Sequence, residues 1–272
     1  MGADELHPAV ILRTRPLGES DRVIVLLTPT LGKVDAAARN ARASKRRFAG
    51  GLAPGMRGRA ALARPRRAQS DLLRLHGFEP TAPFDEVGRD LTRFAYVAYV
   101  CELTDQLVTG QDPEPALFAE LCATLEILVE RPNPPRPVDL RAFELALLRE
   151  LGIVPALDRC GVCGEPVEEA RLEEPPPSAR VPFSAARGGV LCDRHGVAPI
   201  GEVITRIPVP VVQAAARLLA RPEPAGLRDA VEAGAPELRR ALRDLSLGAI
   251  RVHLRRPLRS LALFGQLPLS AE

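Results

Sequence analysis

The chain is short of aromatic side chains and almost free of lysine. Phenylalanine, tyrosine and tryptophan together make up 4% of its 272 residues, and tryptophan is absent. A protein that holds single-stranded nucleic acid chiefly by stacking bases on rings needs more aromatic residues than this. Arginine supplies 35 of the 37 basic residues. The presence of arginine rather than lysine at a position is therefore weak evidence that the position binds a phosphate or carboxylate through two hydrogen bonds.

Signals for export and for a membrane are also missing. The N-terminal MGADELHPAV is polar and acidic where a secretion signal would be basic and then apolar. The longest apolar run, FAYVAYVC at 94–101, is far too short to cross a bilayer. Five cysteines, an odd number, argue against a disulfide framework. We therefore expect a cytoplasmic protein in a reducing compartment, with no membrane partner.

What the chain does have is an uneven charge distribution. Residues 1–80 carry 15 basic and 7 acidic side chains, whereas the remaining residues carry 22 and 27. The excess is sharpest in RNARASKRR at 39–47, which holds five cations and no acid. Charge asymmetry of this kind is typical of a protein with a polyanionic partner. The alternative is a solvated loop, because charge runs are often no more than that.

The basic residues extend from this run into the segments on either side of it, which favours a patch over a loop. The phosphate backbone of a nucleic acid is the expected anion. The candidate nucleic-acid-binding residues are Lys33, Arg39, Arg42, Lys45, Arg46, Arg47, Arg57, Arg59, Arg64, Arg66 and Arg67.

Hydrophobic periodicity divides the chain into a part with the period of strands and a part with the period of helices. Five short segments before residue 80 read as strands, namely AVILRTR, RVIVLLT, KVDAAAR, RGRAALAR and SDLLRLHG. Five strands in so short a segment predict a small closed barrel, because closure removes exposed edges. From about residue 84 the apolar period becomes helical, and RPNPPRP at 131–137 can only connect helices. We predict an α+β protein with a barrel domain at 1–80 and a helical domain at 81–272.

One group of residues has the spacing of a metal site. CGVC at 160–163 and CDRH at 192–195 form two knuckles, which offer as ligands Cys160, Cys163, Cys192 and His195. Four such groups complete a tetrahedral zinc shell, and the proline-rich residues between the knuckles need a metal to stay ordered. We predict one structural zinc ion per chain, in an insertion at about 155–200. Ordinary cysteines, a redox CxxC pair, and a catalytic zinc with Glu165 or Asp193 as base are the alternatives.

Several segments resemble one bacterial family. ILRTRPLGESDRVIVLLTPTLGKVDAAARNARASKRRFAG, LLRELGIVPALDRCGVCG, FSAARGGVLC and PLRSLALFGQL are similar, in this order, to segments of the RecO family of DNA repair proteins. The resemblance covers nearly the whole chain. It departs from the family at the fourth metal ligand, which is usually cysteine and is His195 in this chain.

The resemblance implies an OB-fold for the barrel, a zinc finger inserted into the helical domain, and a role in DNA repair and recombination without catalysis. It also implies binding of single- and double-stranded DNA, annealing of complementary strands, association with RecR, and contact with single-stranded-DNA-binding protein (SSB). With RecR, such a protein helps RecA to displace SSB from gapped DNA. A nucleoid-associated location in the cytoplasm follows from these partners.

The acidic tail of SSB ends in a hydrophobic residue, so its binding site needs an apolar pocket rimmed by cations. In the helical domain, ELRRALRDLSLGAIRVHLRR combines arginines with Leu242, Leu245 and Ile250. We predict that a helix at 239–256 forms one wall of this pocket. Its tail-binding residues would be Arg239, Arg240 and Arg243. The alternative is that the leucines pack internally.

Two other classes of protein stay open at this point. A zinc-finger transcriptional regulator would read base edges in a specific sequence. A zinc-dependent nucleic-acid enzyme would need an open metal position and a carboxylate base beside it.

Overall fold

The structure is a computed structural model that describes residues 5–41, 43–44, 46–48, 51–64, 72–176, 178–198 and 202–267. Its strands are β1 (Glu5–Leu17), β2 (Asp21–Thr28), β3 (Gly32–Ala38), β4 (Arg57–Ala63), β5 (Leu73–Pro80), β6 (Arg180–Ser184), β7 (Gly189–Val190) and β8 (Thr205–Pro208). Its helices are α1 (Leu91–Leu107), α2 (Pro115–Val129), α3 (Pro137–Glu150), α4 (Val209–Leu219), α5 (Leu227–Glu232), α6 (Pro236–Arg251) and α7 (Leu261–Phe264).

The chain forms two compact units. The first contains Met1–Pro135 with Arg255–Glu272, and the second contains Arg136–Leu254. The first unit thus holds the barrel together with α1, α2 and α7. The boundary between a barrel domain and a helical domain at residues 80 and 81 stays a prediction.

Strands β1 to β5 close into a barrel in the order β1-β2-β3-β5-β4, and β4 pairs again with β1. Neighbouring strands are antiparallel except for β3 and β5, which are parallel. A small five-stranded barrel of this connectivity is an OB-fold. Its interior is filled by aliphatic residues together with Phe48 and Phe78. The predicted architecture, a five-stranded barrel followed by a helical region, is confirmed.

The middle of β1 and most of β2 are buried on both faces, where simple alternation predicts burial of one. Val10, Ile11 and Leu12 are all buried, and so are the residues at 23–28. Helix α1 packs on β1 and helix α2 packs on β2, so the outward-facing side chains of these strands are covered as well. On β4, by contrast, buried residues alternate with partly exposed ones. The outer face of β4 is therefore accessible to solvent.

Five of the helices begin with a side-chain cap or an early proline. The carboxylate of Asp90 accepts hydrogen bonds from the backbone N–H groups of Thr92 and Arg93, at 2.8 and 3.1 Å, and caps α1. Proline occupies one of the first two positions of α2, α3, α4 and α6, where a missing N–H costs little. Among the described residues, no helix has the length and apolar character that crossing a bilayer requires.

The second unit is built on a core shared by α3, α4, α6 and the three-stranded sheet β7-β6-β8. Part of the segment between the two cysteine knuckles contributes to this core, because Val181 and Phe183 of β6 are buried. Hydrophobic burial therefore helps to order that segment, which the sequence alone presents as dependent on a metal.

Within the first unit, Arg93 of α1 completes the C-terminal end of α2. Its buried guanidinium donates hydrogen bonds to the carbonyl oxygens of Leu128, Arg131 and Asn133, at 2.7, 2.9 and 3.1 Å. Carbonyl groups at a helix C-terminus lack partners within the helix and carry partial negative charge. One buried cation thus satisfies several of them.

Replacing Arg93 by methionine keeps much of the side-chain volume but removes these hydrogen bonds. We expect Arg93→Met to lower the free energy of unfolding by about 2–4 kcal/mol, because buried carbonyls are left unpaired. Urea denaturation followed by circular dichroism measures the change. Arg89→Met is the matched control, since the ion pair of Arg89 with Glu86 lies on the surface and such pairs contribute little. Equal losses in both variants would contradict the capping role.

Candidate metal centre and nucleic-acid interface

The four predicted metal ligands converge in the second unit. The Nδ1 atom of His195 lies 3.3 Å from the sulfur of Cys192 and 3.6 Å from the sulfur of Cys160. The sulfurs of Cys163 and Cys192 are 3.9 Å apart. All four ligand atoms lie within 4.8 Å of one another. The two knuckles therefore meet, as their spacing predicts, and the cluster could hold one metal ion.

The first knuckle depends on two glycines. A Cβ on Gly161 would lie 2.4 Å from the carbonyl oxygen of Arg187, so a larger residue does not fit without a shift of the backbone. The N–H of Gly161 donates to the carbonyl of Val190 at 2.9 Å. Gly164 has a φ of +75°, and its N–H donates to the carbonyl of Cys160 at 2.8 Å. These contacts close the turn and fix it against β7.

The second knuckle is a turn supported by Arg187. The N–H groups of His195 and Gly196 both donate to the carbonyl oxygen of Cys192, at 2.9 and 2.7 Å. The guanidinium of Arg187 donates to the carbonyl oxygen of His195 at 2.7 Å and faces Glu202 at 3.5 Å. Arg187 thus touches the first knuckle through its backbone and the second through its side chain.

The backbone around Cys160 favours the ionised form of this thiol. Burial opposes ionisation, but hydrogen bonds from the backbone of Cys163, Cys192 and Val162 lower the pKa of Cys160 to about 6. The thiolate is the form that binds metals. Cys160 is therefore prepared to bind a cation near neutral pH.

On the barrel, the predicted DNA-binding residues fall into three groups. Five are exposed: Arg39, Arg46, Arg47, Arg59 and Arg64. Two have mostly buried side chains: Lys33 and Arg57. Four lie outside the described residues: Arg42, Lys45, Arg66 and Arg67. The exposed group belongs to β4, to the residue that follows it, and to the segment between β3 and β4.

Lys33 and Arg57 make contacts inside the first unit. The Nζ of Lys33 donates to the carbonyl of Asp105 at 2.6 Å and lies 3.5 Å from its carboxylate. Burial lowers the pKa of Lys33, although the charge of Asp105 opposes this shift. Arg57 donates to the carbonyl of Cys122 at 3.2 Å and pairs with Glu130. Both cations thus connect the barrel to α1 and α2, and both are poorly placed to meet a phosphate backbone.

The basic segment between β3 and β4 is attached to β5. The N–H of Phe78 donates to the carbonyl of Arg47 at 2.9 Å, and the buried Phe48 pairs with Phe78. The guanidinium of Arg47 donates to the carbonyl of Arg39 at 2.8 Å and to the hydroxyl of Ser44 at 3.0 Å. The exposed arginines of this segment therefore project from a backbone that the barrel holds in place.

A cavity of about 280 Å³ lies where this segment meets β4 and β5. We call it the β4–β5 pocket. Its lining residues are Leu6, Arg46, Arg47, Arg59, Ala61, Gly77, Phe78, Glu79 and Pro80. The sequence identified the three arginines but not the pocket. Gly77 is the signal that could have found it, because a glycine inside a strand often marks a bulge or a close approach.

The arginines predicted to bind the SSB tail lie on α6, which ends at Arg251 rather than at residue 256. The apolar residues expected to floor the pocket, Leu242, Leu245 and Ile250, are buried and so pack internally. Arg239 donates to the carbonyls of Glu232 and Gly234, at 2.6 and 3.0 Å. The apolar part of the predicted pocket is therefore not supplied by these three side chains.

Arg240 and Arg243 are the other two members of this predicted set. Arg240 is exposed. Arg243 lies 3.3 Å from Asp244, and its side chain is 42% exposed. These two guanidinium groups are accessible to an acidic partner.

The fold and the site define an OB-fold protein with exposed arginines on its barrel and a cluster of four potential metal ligands in its second unit. Two family models match this chain, Recombination protein O N terminal at residues 3–84 and Recombination protein O C terminal at residues 88–262. The chain therefore belongs to the RecO family of DNA repair and recombination proteins, and the prediction from its motifs is confirmed.

Individual relatives agree with the family models. The chain is 44% identical over 190 residues to DNA repair protein RecO of Anaeromyxobacter sp. (strain K), a match that covers 70% of this chain and 69% of the relative. It is 35% identical over 266 residues to DNA repair protein RecO of Myxococcus xanthus, which covers 96% and 97%. It is also 35% identical over 279 residues to DNA repair protein RecO of Geobacter sulfurreducens, which covers 96% and 99%.

Proposed function

We propose that this protein is a non-catalytic mediator of DNA repair and recombination, which binds single- and double-stranded DNA and anneals complementary strands. The observation that carries this proposal is the group of exposed arginines on β4 and on the segment between β3 and β4. Within this group, Arg59 pairs with Glu79 at 2.9 Å, but both side chains are more than half exposed. A phosphate can replace such a partner at little cost.

Binding through the phosphate backbone suits the annealing of strands. Neutralised phosphates reduce the repulsion between two strands, and contacts to phosphate leave the base edges free to pair. The aromatic rings closest to the basic segment, Phe48 and Phe78, are buried in the barrel. Extended stacking on rings is therefore not the main mode of binding that we propose.

We further propose that the protein acts with RecR and SSB at the nucleoid, and that through them it helps to load RecA onto SSB-coated DNA. Membership of the RecO family supports these partners. On this protein, the acidic residues of the SSB tail would meet Arg240 and Arg243 of α6. Because Leu242 and Leu245 are buried, another apolar surface must receive the terminal residue of the tail.

We also propose that the metal is zinc and that its role is structural. Bond lengths of about 2.3 Å to sulfur and about 2.0 Å to nitrogen, at tetrahedral angles, separate two sulfurs by about 3.8 Å and a sulfur from a nitrogen by about 3.5 Å. The separations of 3.9, 3.3 and 3.6 Å agree with this geometry. Four protein ligands leave no open position for a substrate, which is the pattern of structural sites. When bound, zinc would link the two knuckles.

Removal of one exposed ligand tests the metal assignment. We expect Cys163→Ser to reduce the zinc content from about one ion per chain to nearly none, because three ligands bind zinc far less tightly than four. Residues 155–200 should also become more sensitive to protease. Elemental analysis of protein purified without chelators measures the first effect, and limited proteolysis the second.

Cys122→Ser is the matched control, because Cys122 is a half-buried cysteine outside the cluster. It should retain its zinc. A full zinc content in the Cys163→Ser variant would contradict the assignment of Cys163 as a ligand.

The DNA-binding surface is tested by the triple variant Arg39→Ala, Arg46→Ala and Arg47→Ala. We expect weaker binding to unrelated sequences by similar factors. We also expect a flatter dependence of affinity on salt, by about 0.9 in slope for each lost duplex contact and about 0.7 for each single-strand contact. Fluorescence anisotropy at several salt concentrations measures both quantities.

A second triple variant, Arg89→Ala, Arg131→Ala and Arg206→Ala, removes the same charge from exposed positions elsewhere. It should retain nearly normal affinity. Equal effects of the two triple variants would show that net charge, rather than this surface, governs DNA binding.

The SSB contact is tested with a labelled acidic peptide that ends in an apolar residue. The double variant Arg240→Ala and Arg243→Ala should bind it several-fold more weakly at low salt, because two charge-assisted contacts are lost. The double variant Arg206→Ala and Arg217→Ala, with two exposed arginines of the same unit replaced, should bind it normally. Loss of the peptide in the barrel triple variant alone would place the tail on the barrel instead.

A further inference from the structure

The floor of the β4–β5 pocket is a row of small or apolar residues in adjacent strands. Leu6 of β1 pairs with Ala61 of β4, and Ala61 pairs with Gly77 of β5. Leu6 is 50% exposed although it is apolar. Two small residues side by side leave a depression on the outer face of the barrel, and the half-exposed leucine borders it.

A β-bulge places the glycine at this position. Ala61 pairs with Gly77 while the next residue, Leu62, pairs with Leu75, so His76 is an extra residue in β5. Bulges change the direction in which a strand presents its side chains. Here Gly77, which has no side chain, is the bulge residue that stands opposite Ala61, and the depression is left open.

The rim of the pocket carries opposite charges in unequal number. Arg46 and Arg47 lie on one side, on the segment that is attached to β5. Arg59 lies two residues from Ala61 along β4 and pairs with Glu79 of β5 at 2.9 Å. Three arginines and one glutamate therefore line a pocket with an apolar floor. This combination suits a ligand with anionic groups, a flat apolar surface and hydrogen-bond donors.

We propose that the β4–β5 pocket receives a single unstacked nucleobase of single-stranded DNA, while Arg46 and Arg47 hold the phosphates on either side of it. The proposal rests on the DNA-binding function proposed above. A volume of about 280 Å³ is at the small end for ligand sites, as expected of a site for one base rather than for a longer ligand. Glu79 can accept a hydrogen bond from an amino group on the base, such as those of adenine and cytosine.

An acidic peptide with a terminal apolar residue is the other ligand that an apolar pocket rimmed by arginines could bind. Glu79 argues against it, because a peptide that ends in an apolar residue brings the carboxylate of its own C-terminus into the pocket, beside the carboxylate of Glu79. A nucleobase has no negative charge of its own, and its amino groups favour the same carboxylate. The continuity of the pocket with the exposed arginines also favours the base, since the strand need not leave the proposed phosphate-binding surface.

The position of the pocket is unusual for this fold. OB-folds commonly bind oligonucleotides across strands 2 and 3. In this chain β2 is buried along most of its length, and the pocket instead lies on β1, β4 and β5. The base would therefore bind on the side of the barrel formed by β1, β4 and β5, next to the bulge and the basic segment.

Filling the pocket tests the proposal. A Cβ on Gly77 would meet the carbonyl oxygen of Arg47 at 3.6 Å, an ordinary contact, so Gly77→Leu can extend into the pocket without strain at the backbone. We expect about a tenfold loss of affinity for single-stranded oligonucleotides, because one base contact is removed. Affinity for duplex DNA should not change, because a paired base is not available to the pocket.

Gly88→Leu is the matched control. A Cβ on Gly88 meets no atom within 4 Å, so the same side chain is added away from the pocket, and binding of both forms of DNA should be normal. An unchanged single-strand affinity in Gly77→Leu would overturn the pocket proposal. If the unaltered protein bound neither form of DNA, the proposed DNA-binding function would fail, which is a different result. Loss of both forms in Gly77→Leu alone would also overturn the proposal, since a base pocket cannot explain it.

A direct readout comes from an oligonucleotide that contains 2-aminopurine, whose fluorescence rises when the base leaves its stack. Binding of the full-length protein should raise the signal, and Gly77→Leu should abolish most of the rise while Gly88→Leu preserves it. No rise with the unaltered protein would overturn the proposal. A competition experiment gives a second outcome that would overturn it. If an acidic peptide displaced the oligonucleotide from the unaltered protein and bound Gly77→Leu more weakly, the pocket would be a peptide site.

Discussion

The buried carboxylate of Asp105 is the constraint on which the first unit depends. Its side chain is 5% exposed, and a carboxylate so far from water is tolerated when cations and hydrogen-bond donors surround it. Arg13 of β1 meets it at 2.7 Å, and Lys33 of β3 lies 3.5 Å away. One acid on α1 thus holds two strands of the barrel. Removing either cation would leave this carboxylate with fewer partners, at a place where water cannot replace the lost one.

This constraint separates the cations that support the fold from those that a ligand can reach. Lys33 and Arg57 belong to the side of the barrel that α1 and α2 cover, where each pairs with an acid, Asp105 or Glu130. Arg46, Arg47 and Arg59 are open to solvent. A count of basic residues along the sequence merges these two groups. The fold distinguishes them, because the cations covered by α1 and α2 are held by acids of those helices or their ends, Asp105 and Glu130, whereas an exposed cation can exchange its partner.

The parts of the molecule that could be predicted from the sequence are those that depend only on residues within one short segment. Strand alternation, helical stripes and the two-residue spacers of the knuckles all reflect local geometry, so the barrel, the helices and the ligand cluster could be predicted. The role of Lys33 could not, because it depends on Asp105, 72 residues further along the chain. The β4–β5 pocket depends on the register of three strands and on one bulge. For α6, the amphipathic pattern marks Leu242 as apolar but does not say what covers it.

In the second unit the four potential metal ligands lie where the hydrophobic core ends. Cys160 belongs to that core, whereas Cys163 is exposed. Between the knuckles, β6 contributes Val181 and Phe183 to the core, but much of the rest of the segment is polar and exposed. A metal ion that joins the knuckles would close this loop and lower the entropy of its unfolded state. The barrel has a closed core of its own, so the structural ion proposed above would act on the stability of the second unit.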